Sequence, residues 1–276
     1  MLGLLALALL AAPAPRPGAA GPEAIGARWG EIQRLESVAA RARAVSEAFL
    51  GVAYRLDPLG EGQGRPPDED PRLRFDAVDC QTLLETVIAI ARAPRFEDVQ
   101  EVLDDLRYDG APEYVRRHHF FEAQWLPANE RKGYLREVTL EVGGADVVRH
   151  RKRVTLAQWR ARTSARKIAL PDERAPVGSF EAPYLPLAKV LERARQIPSG
   201  TAFAVVREDR PRVPLMVSHL GFIVQAERGP VARHASDRSH SVVDEDLARF
   251  VERNRAIGPW KVLGLRLFAL SEPPAP

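Results

Sequence analysis

The stretch RFDAVDCQTLLETVIAIARA, residues 74–93, contains the only cysteine of the 276-residue chain, Cys80, just before an apolar pattern. The apolar residues recur every three or four positions, which predicts one buried face of a helix. These residues are Leu83, Leu84, Val87, Ile88 and Ala91. Asp79 is a typical N-cap residue, so Cys80 falls in the first turn of the predicted helix.

The position of Cys80 bears on its chemistry. A lone cysteine is most often a small buried hydrophobic residue, and a chain with one thiol has no internal disulfide. At the start of a helix, however, unpaired backbone N–H groups and the helix dipole favour a thiolate, which predicts a lowered thiol pKa. Cys80 is therefore a candidate nucleophile, and a nucleophilic thiol needs a base.

Two of the six histidines lie on predicted strands that follow each other in the chain. His219 lies in SHLGFIVQ and His234 in VARHAS, and ERGP between them predicts a tight hairpin. Side chains on one face of paired strands lie within about 5 Å of each other. We predict that His219 is the base and that His234 holds its second ring nitrogen, with Asp237 and Asp244 as alternatives for the second role. Considered without the other, each histidine is more often an ordinary strand residue than a catalytic one.

The order of the patterns predicts an α+β fold. Helical patterns dominate the first part of the chain and strand patterns the last third, which favours an antiparallel sheet over a parallel α/β sheet. We expect one amphipathic helix over residues 22–50, two strands around Gly143 and Gly144, and a loop over residues 162–183. A late helix in DEDLARFVERN is expected to be capped by Asp244.

Composition excludes some classes of function. Hydrophobic residues make up 45% of the chain and charged residues 28%, an ordinary globular composition. Forty basic residues oppose thirty-seven acidic ones, and no long basic run with interleaved aromatic residues occurs, so we expect no nucleic-acid partner. One cysteine and scattered histidines lack the spacing of a zinc site, so we expect no metal and no cofactor.

The N-terminal sequence MLGLLALALLAAPAPRPGAAGPEA resembles a secretory signal. Its apolar run, residues 2–12, is too short to span a bilayer, and small residues suited to cleavage follow, with a cut near Ala20. The alternative is a disordered Ala/Pro-rich tail. We expect residues 1–20 to be a signal peptide, the mature protein to be periplasmic or secreted, and no stable membrane insertion after its removal.

Three blocks of sequence carry a family resemblance. The first block is FLGVAY (residues 49–54) followed by DCQTLLE (79–85), the second is SHLGFIVQ with His219, and the third is RHAS with His234. This order resembles the NlpC-like cysteine peptidase superfamily, which cuts bacterial cell-wall peptides. The chain is more similar to its N-acetylmuramoyl-L-alanine amidase-like branch, through DCxTxxE, RYDG, RRHHFFEAQW and VSHLGF. It departs from the superfamily pattern in Ala53, which replaces a proline, and in SGTAF, which replaces a Gly-Asp.

The resemblance implies a fold and a domain plan. It implies a papain-like/NlpC-like core with N-terminal helices packed on an antiparallel sheet, plus insertions. Residues 22–271 are then a single amidase-like catalytic domain with an extra N-terminal helix, and residues 272–276 a disordered tail. We expect a monomer that acts on peptidoglycan or muropeptides.

The resemblance also implies roles for residues. Cys80 is the nucleophile, His219 the base and His234 the orienting residue, and Tyr54 either adds an oxyanion donor or only packs. Four further residues are assigned to contacts with substrate, with a capping role as the alternative for Glu85 and His119. They are Glu85, Arg107, His119 and Trp125.

The implied reaction is hydrolysis of the amide between N-acetylmuramic acid and L-alanine through an acyl-enzyme. The alternatives are a stem-peptide endopeptidase, a non-catalytic wall-binding protein and a transferase that uses the same acyl-enzyme.

Overall fold

The computed structural model describes residues 21–211 and 213–273. The predicted signal peptide, residues 1–20, lies outside the described residues, as do the last three residues of the predicted tail. Within the described ranges the chain has eleven α-helices and ten strands. It is a mixed α+β fold with a curled, mostly antiparallel sheet, which confirms the predicted fold class.

The helices occupy mainly the first two thirds of the chain. They are α1 (Pro22–Ala27), α2 (Trp29–Gln33), α3 (Val38–Ala48), α4 (Cys80–Arg92), α5 (Val99–Arg107), α6 (Leu126–Arg131), α7 (Thr139–Gly143), α8 (Leu156–Arg160), α9 (Thr163–Ile168), α10 (Leu187–Arg193) and α11 (Leu247–Arg255). None of these described helices is long and apolar enough to cross a membrane.

The strands form one sheet in the order β2-β1-β9-β8-β7-β6-β10-β5-β4, with β3 also paired to β10. They are β1 (Ala53–Tyr54), β2 (Ala77–Val78), β3 (Leu135–Glu137), β4 (Val148–Val154), β5 (Gly178–Pro186), β6 (Thr201–Arg207), β7 (Val217–Ala226), β8 (Gly229–Ser236), β9 (Ser241–Asp246) and β10 (Val262–Leu270). The short pair β1–β2 is parallel, and the other described pairs are antiparallel.

The sheet separates two apolar cores. Along β6, Ala202 and Ala204 belong to the core of α3, α4 and α5, whereas Phe203 and Val205 belong to the core of α10 and α11. Alternate side chains of a strand point to opposite faces, so burial on both faces accounts for the unbroken apolar run AFAVV, residues 202–206. The helix that begins with Cys80 thus packs on one face of the sheet, and α11 packs on the other.

The predicted single helix over residues 22–50 is wrong, because the structure has α1, α2 and α3 there. Ser37 interrupts the helix: its backbone is extended, and its side chain accepts a hydrogen bond from Ala40 N at 3.1 Å. Serine competes for backbone hydrogen bonds in helix interiors and is favoured at N-caps. The apolar periodicity is therefore real, but three packed helices carry it.

Three more local predictions are corrected. The segment VTLEV forms helix α7 instead of a strand, and the predicted loop 162–183 contains α9 and the first part of β5. The late helix is capped by Asp246, whose side chain accepts from Arg249 N at 2.9 Å. Asp244, the predicted cap, lies instead on the unpredicted strand β9 and pairs with buried Arg233 at 2.7 Å.

The first residue of the predicted tail makes specific contacts. The carboxylate of Glu272 accepts a hydrogen bond from Val38 N at 2.6 Å and pairs with Arg41 at 2.9 Å. Val38 begins α3, so Glu272 places a negative charge at the helix N-terminus, where the dipole favours it. The chain is held against α3 at least to this residue.

Candidate active site

Cys80 is the first residue of α4, as the sequence predicts. The Asp79 side chain accepts a hydrogen bond from Thr82 N at 2.8 Å, and the Thr82 hydroxyl accepts one from Asp79 N at 2.8 Å. This reciprocal capping box fixes where the helix begins. Strand β2 leads directly into it, and Tyr54 on β1 pairs with Val78 two residues before Cys80. The phenol and the thiol therefore line the same cavity.

His219 and His234 lie on one face of the β7–β8 hairpin. Phe222 pairs with Arg233, and this register gives the two histidines the same orientation. Their rings are 4.8 Å apart and nearly perpendicular, and Nε2 of His219 lies 2.8 Å from Nδ1 of His234. The structure thus brings together the two histidines that the hairpin pattern pairs.

An acidic residue that the sequence analysis did not identify lies behind His234. Oε2 of Glu245 is 3.3 Å from Nε2 of His234, and Glu245 accepts hydrogen bonds from Arg253 Nε at 3.0 Å and Nη2 at 2.7 Å. Glu245 lies on β9, which pairs with β8. The alternatives named from sequence lie elsewhere: Asp244 pairs with Arg233, and Asp237 is exposed at the rim of the cavity. The alternating segment SVVDED was the available signal for a further strand here.

Aromatic packing supports the histidine pair. Phe250 lies 5.5 Å from His234 and 5.3 Å from Phe203, between ring centroids, and Phe203 lies 6.5 Å from His219. The glycine of the SHLGF motif makes this packing possible. A Cβ on Gly221 would lie 2.8 Å from the Phe203 ring and 2.6 Å from the carbonyl oxygen of Arg233. A larger residue there would displace the aromatic support.

The groups meet at one cavity of about 330 Å³. Cys80, His219, His234 and Tyr54 all line it, together with Arg207, which the sequence analysis did not single out. The cavity is open to solvent and contains both charged and apolar surface. It is the place where a thiol, an imidazole and a phenol converge within the described part of the chain.

The expected lowering of the thiol pKa is wrong. Burial, followed by the Asp79 carboxylate, raises the pKa of Cys80 to about 12, although the backbone N–H groups of Leu220, Cys80 and Gln81 oppose the shift. The helix N-terminus does act on the thiol, but loss of solvation and a neighbouring negative charge outweigh it. The thiol is therefore neutral at pH 7, and a nucleophilic role would require a base that takes its proton.

The neighbouring groups have protonation states that fit a neutral thiol. Burial, then His234 and Arg253, lower the pKa of His219 well below its ordinary value, so its imidazole is neutral and can accept a proton. Burial, then Cys80 and Asp79, raise the pKa of Tyr54 to about 12, so its phenol keeps its proton and can donate a hydrogen bond. The cavity combines a neutral imidazole, which can accept a proton, with a neutral phenol, which can donate a hydrogen bond.

Two residues assigned to the substrate groove form a buried ion pair instead. Arg107 Nη1 lies 2.6 Å from Glu85 Oε2, and the two side chains are 4% and 1% exposed. Arg107 Nη2 also donates to the carbonyl of Leu59 at 3.0 Å. Glu85 lies on α4 and Arg107 at the end of α5, so the pair ties these helices to the long loop before Cys80. Neither residue lines the cavity.

The other two assigned residues also lie away from the cavity. Trp125 is fully buried and stacks on Phe121 at 5.2 Å. His119 Nε2 lies 2.8 Å from the carbonyl oxygen of Tyr114, and burial lowers the pKa of His119 to about 4. The run of aromatic residues around them marks a packed segment, since buried aromatic side chains dominate core packing.

Arg107→Ala is expected to lower the free energy of unfolding by about 3–5 kcal/mol, because it leaves the Glu85 carboxylate buried without its partner. Urea denaturation followed by circular dichroism measures the loss. The matched control is Arg116→Ala, since Arg116 pairs with Glu113 at a site where both side chains are 50% exposed. That change is expected to cost less than about 1 kcal/mol. A stable Arg107→Ala protein with a raised KM would instead support the groove assignment.

No group of three or more His, Cys, Asp and Glu side chains within residues 21–211 and 213–273 is arranged to hold a metal ion. Two carboxylates of the site are engaged: Glu245 with Arg253, and Asp79 in the capping box.

Fold and cavity together define a class: an α+β protein in which a helix-start cysteine lines one cavity with a histidine pair from an antiparallel sheet. Residues 44–257 match the AmiA-like family model, described as N-acetylmuramoyl-L-alanine amidase-like. The match covers more than half of the chain, and the protein belongs to this family. Membership supports hydrolase activity and implies a peptidoglycan substrate.

Solved structures share the fold. A Legionella pneumophila str. Philadelphia 1 protein of family DUF1460 is 24% identical, with a TM-score of 0.80 over 91% of this chain and 95% of that one. An N-acetylmuramoyl-L-alanine amidase from Bacteroides uniformis ATCC 8492 is 21% identical, with a TM-score of 0.66 over 85% and 99%. A Bacteroides fragilis protein named as a xylanase candidate is 22% identical, with a TM-score of 0.62 over 82% and 98%. At these identities the likeness shows the fold alone. No curated protein matched the sequence.

Proposed function

We propose that this protein is a cysteine hydrolase that cleaves the amide between N-acetylmuramic acid and L-alanine in peptidoglycan or its fragments. The observation that carries the proposal is the convergence of Cys80, His219 and His234 on one cavity in a member of the amidase-like family. The proposal includes a papain-like/NlpC-like core, in which the cysteine begins a helix and the histidines lie on the adjoining strands.

In the proposed reaction the thiol of Cys80 attacks the lactyl carbonyl carbon of muramic acid while His219 accepts the thiol proton. The negative charge that develops on the carbonyl oxygen is stabilised by the backbone N–H of Cys80 and the phenol of Tyr54. His219 then protonates the amine of L-alanine as the C–N bond breaks, which releases the stem peptide and leaves a thioester. Water, deprotonated by His219, attacks the thioester, and the thiol regains its proton.

The groups behind the base fix its tautomer. For Nδ1 of His219 to accept the thiol proton, its Nε2 must carry hydrogen and donate to Nδ1 of His234, 2.8 Å away. His234 then carries its proton on Nε2 and donates to Glu245. Burial opposes ionisation of Glu245, but the hydrogen bonds and charge of Arg253 prevail and lower its pKa. An ionised Glu245 therefore stabilises the positive charge that forms on the histidine pair during attack.

The alternatives differ in the bond that is cut, in the acceptor of the acyl group, or in whether any bond is cut. A stem-peptide endopeptidase would use the same thiol and histidines on an amide further from the sugar. A transferase would pass the same acyl group to an acceptor other than water. A wall-binding protein would have no need of Cys80 and the two histidines together.

A glycosidase such as a xylanase uses two carboxyl groups about 5–9.5 Å apart across the scissile bond. A cavity centred on a thiol and an imidazole does not favour that chemistry.

The test is mass spectrometry of purified muropeptides after incubation with the protein, with Cys80→Ala as the matched control. Release of N-acetylmuramic acid with a free lactyl carboxylate, and of a peptide that begins with L-alanine, supports the amidase. Cleavage within the peptide supports the endopeptidase and overturns the amidase. Muropeptides that remain intact with the parent protein but bind to it would support the wall-binding alternative.

We also propose that the protein is exported and cleaved near Ala20, from the apolar run and the small residues that follow it. The expected result is a periplasmic or secreted protein whose mature N-terminus lies close to Ala20, as determined by N-terminal sequencing of the fractionated protein. The control is the same chain with Leu5 and Leu9 replaced by arginine, which should stay in the cytoplasm. Recovery of intact Met1 from the cytoplasmic fraction alone would contradict export.

A further inference from the structure

We propose that Arg207 forms a carboxylate-binding subsite beside the Cys80–His219 pair, so that the protein selects substrates with a free carboxylate close to the scissile amide. The inference deepens the proposed function and rests on it. Its basis is the environment of Arg207, a cavity-lining residue that the reaction described above does not use.

Neutral groups hold the guanidinium of Arg207 in a fixed orientation. Nε donates to the Ser218 hydroxyl at 2.7 Å, and Nη1 donates to the carbonyl of Trp260 at 2.6 Å. The guanidinium carbon also lies 5.0 Å from the centroid of the Trp260 ring. Ser218 precedes His219 on β7, so the arginine is anchored directly beside the candidate base. An arginine fixed in this way loses little entropy on binding a ligand.

The charge of Arg207 has no carboxylate partner within 4 Å among the described residues, whereas Arg253 and Arg233 do have one. Arg253, in the same cavity, pairs with Glu245 at 2.7 Å, and Arg233 pairs with Asp244 at 2.7 Å. The guanidinium of Arg207 donates hydrogen bonds through Nε and Nη1. Its Nη2 has no partner among the described residues. A partly buried cation without a counterion is costly, and a bound anion would offset that cost.

The residue that supports Arg207 is itself held in a strained conformation. Trp260 has a φ of +57°, which non-glycine residues rarely adopt, and its indole N–H donates to the carbonyl of Glu208 at 2.9 Å. Strain of this kind persists where the surroundings impose it, and it is frequent at binding sites. The conformation of Trp260 places both its ring and its carbonyl oxygen next to the guanidinium of Arg207.

The cavity favours a carboxylate over a more highly charged anion. Asp79 and Asp237 line the same cavity and would repel a dianion such as a phosphate monoester. A carboxylate matches the planar fork of the guanidinium and forms a charge-assisted hydrogen bond with Nη2. In the proposed substrate the subsite would select a carboxylate on the residue that follows the L-alanine.

The test compares two synthetic substrates that differ in one group. Both are N-acetylmuramoyl-L-alanyl peptides, one with a free carboxylate on the residue after alanine and one with a carboxamide there. The parent protein is expected to cleave the carboxylate substrate with a kcat/KM about 10–100-fold higher, as for one charge-assisted hydrogen bond. Arg207→Gln should bring this ratio close to one, whereas Arg238→Gln, a change at an exposed arginine of the same cavity, should preserve it.

The ratio of kcat/KM for the two substrates distinguishes recognition of the carboxylate by Arg207 from a merely structural role of this residue. A distorted cavity would lower kcat/KM for both substrates together. Equal rates in the parent protein, or a ratio that persists in Arg207→Gln or vanishes in Arg238→Gln, would overturn the assignment to Arg207 while the amidase stands. Cleavage of neither substrate by the parent protein would overturn the proposed function and this inference with it. If Arg207→Gln does not fold, calorimetry with the inactive Cys80→Ala protein decides. Cys80→Ala should bind the carboxylate substrate at least about 10-fold more tightly than the carboxamide substrate, and equal affinities would refute the subsite.

Discussion

Cys80→Ala protein is expected to fold as the parent does and to lose muropeptide hydrolysis by a factor of about 10⁴ or more. Removal of a nucleophile abolishes the acyl-enzyme route, and in enzymes with a comparable nucleophile–base unit the loss reaches about 10⁶. The fold should survive because the residue is small and the capping box of Asp79 and Thr82 does not use the thiol. Mass spectrometry of released peptides and a thermal melt measure the two properties separately.

Cys80→Ser is a second, more conservative variant that tests the same nucleophile. It exchanges one atom and keeps a hydroxyl that can accept the same backbone hydrogen bonds. Burial and the Asp79 carboxylate, which raise the thiol pKa, would act on a serine hydroxyl too, so His219 would face a harder deprotonation. We expect Cys80→Ser to be nearly as inactive as Cys80→Ala. Hydrolysis at the parent rate in either variant would exclude Cys80 as the nucleophile.

The parts of the site that the sequence predicts are those set by local rules. The start of α4 follows from Asp79 and the apolar spacing after it, and the pairing of His219 with His234 follows from a short hairpin between two strands. Both depend on residues close together in the chain. An α+β fold also follows, because periodicity distinguishes helices from strands over most of the chain.

The parts that the sequence did not predict depend on long-range contacts or on a balance of opposed effects. Glu245 meets His234 only because β9 pairs with β8. The Glu85–Arg107 pair is charged in sequence but buried in the fold, and no local pattern distinguishes such a pair from substrate-binding residues. The thiol pKa combines the helix dipole, which lowers it, with burial, which raises it, and only the structure shows that burial is larger.

The second large effect concerns the division of labour among His219, His234 and Glu245. His219→Ala removes the proposed base, and we expect kcat/KM to fall by about 10³–10⁴. His234→Ala leaves the nucleophile and base in place and removes only orientation and tautomer control, for which a loss of about 10–100-fold is expected. His234→Asn should recover part of that loss, since its amide oxygen can accept the Nε2 proton of His219. Kinetics on one muropeptide at fixed pH, with melts as folding controls, rank the variants.

The pH profile tests the role of Glu245 without relying on the rank order. Burial lowers the pKa of His219 well below 6.5, so the neutral base persists as pH falls, and the acid limb of kcat/KM should lie below pH 6.5. Glu245→Ala removes a negative charge that favours protonation of the histidine pair, so the acid limb should move to still lower pH while the maximal rate falls. Glu245→Gln keeps an acceptor for His234 Nε2 but loses the charge. It should therefore move the limb as Glu245→Ala does and retain more of the rate, because an acceptor alone suffices to hold the tautomer. An acid limb that stays fixed in both variants would show that Glu245 does not act on the base through His234.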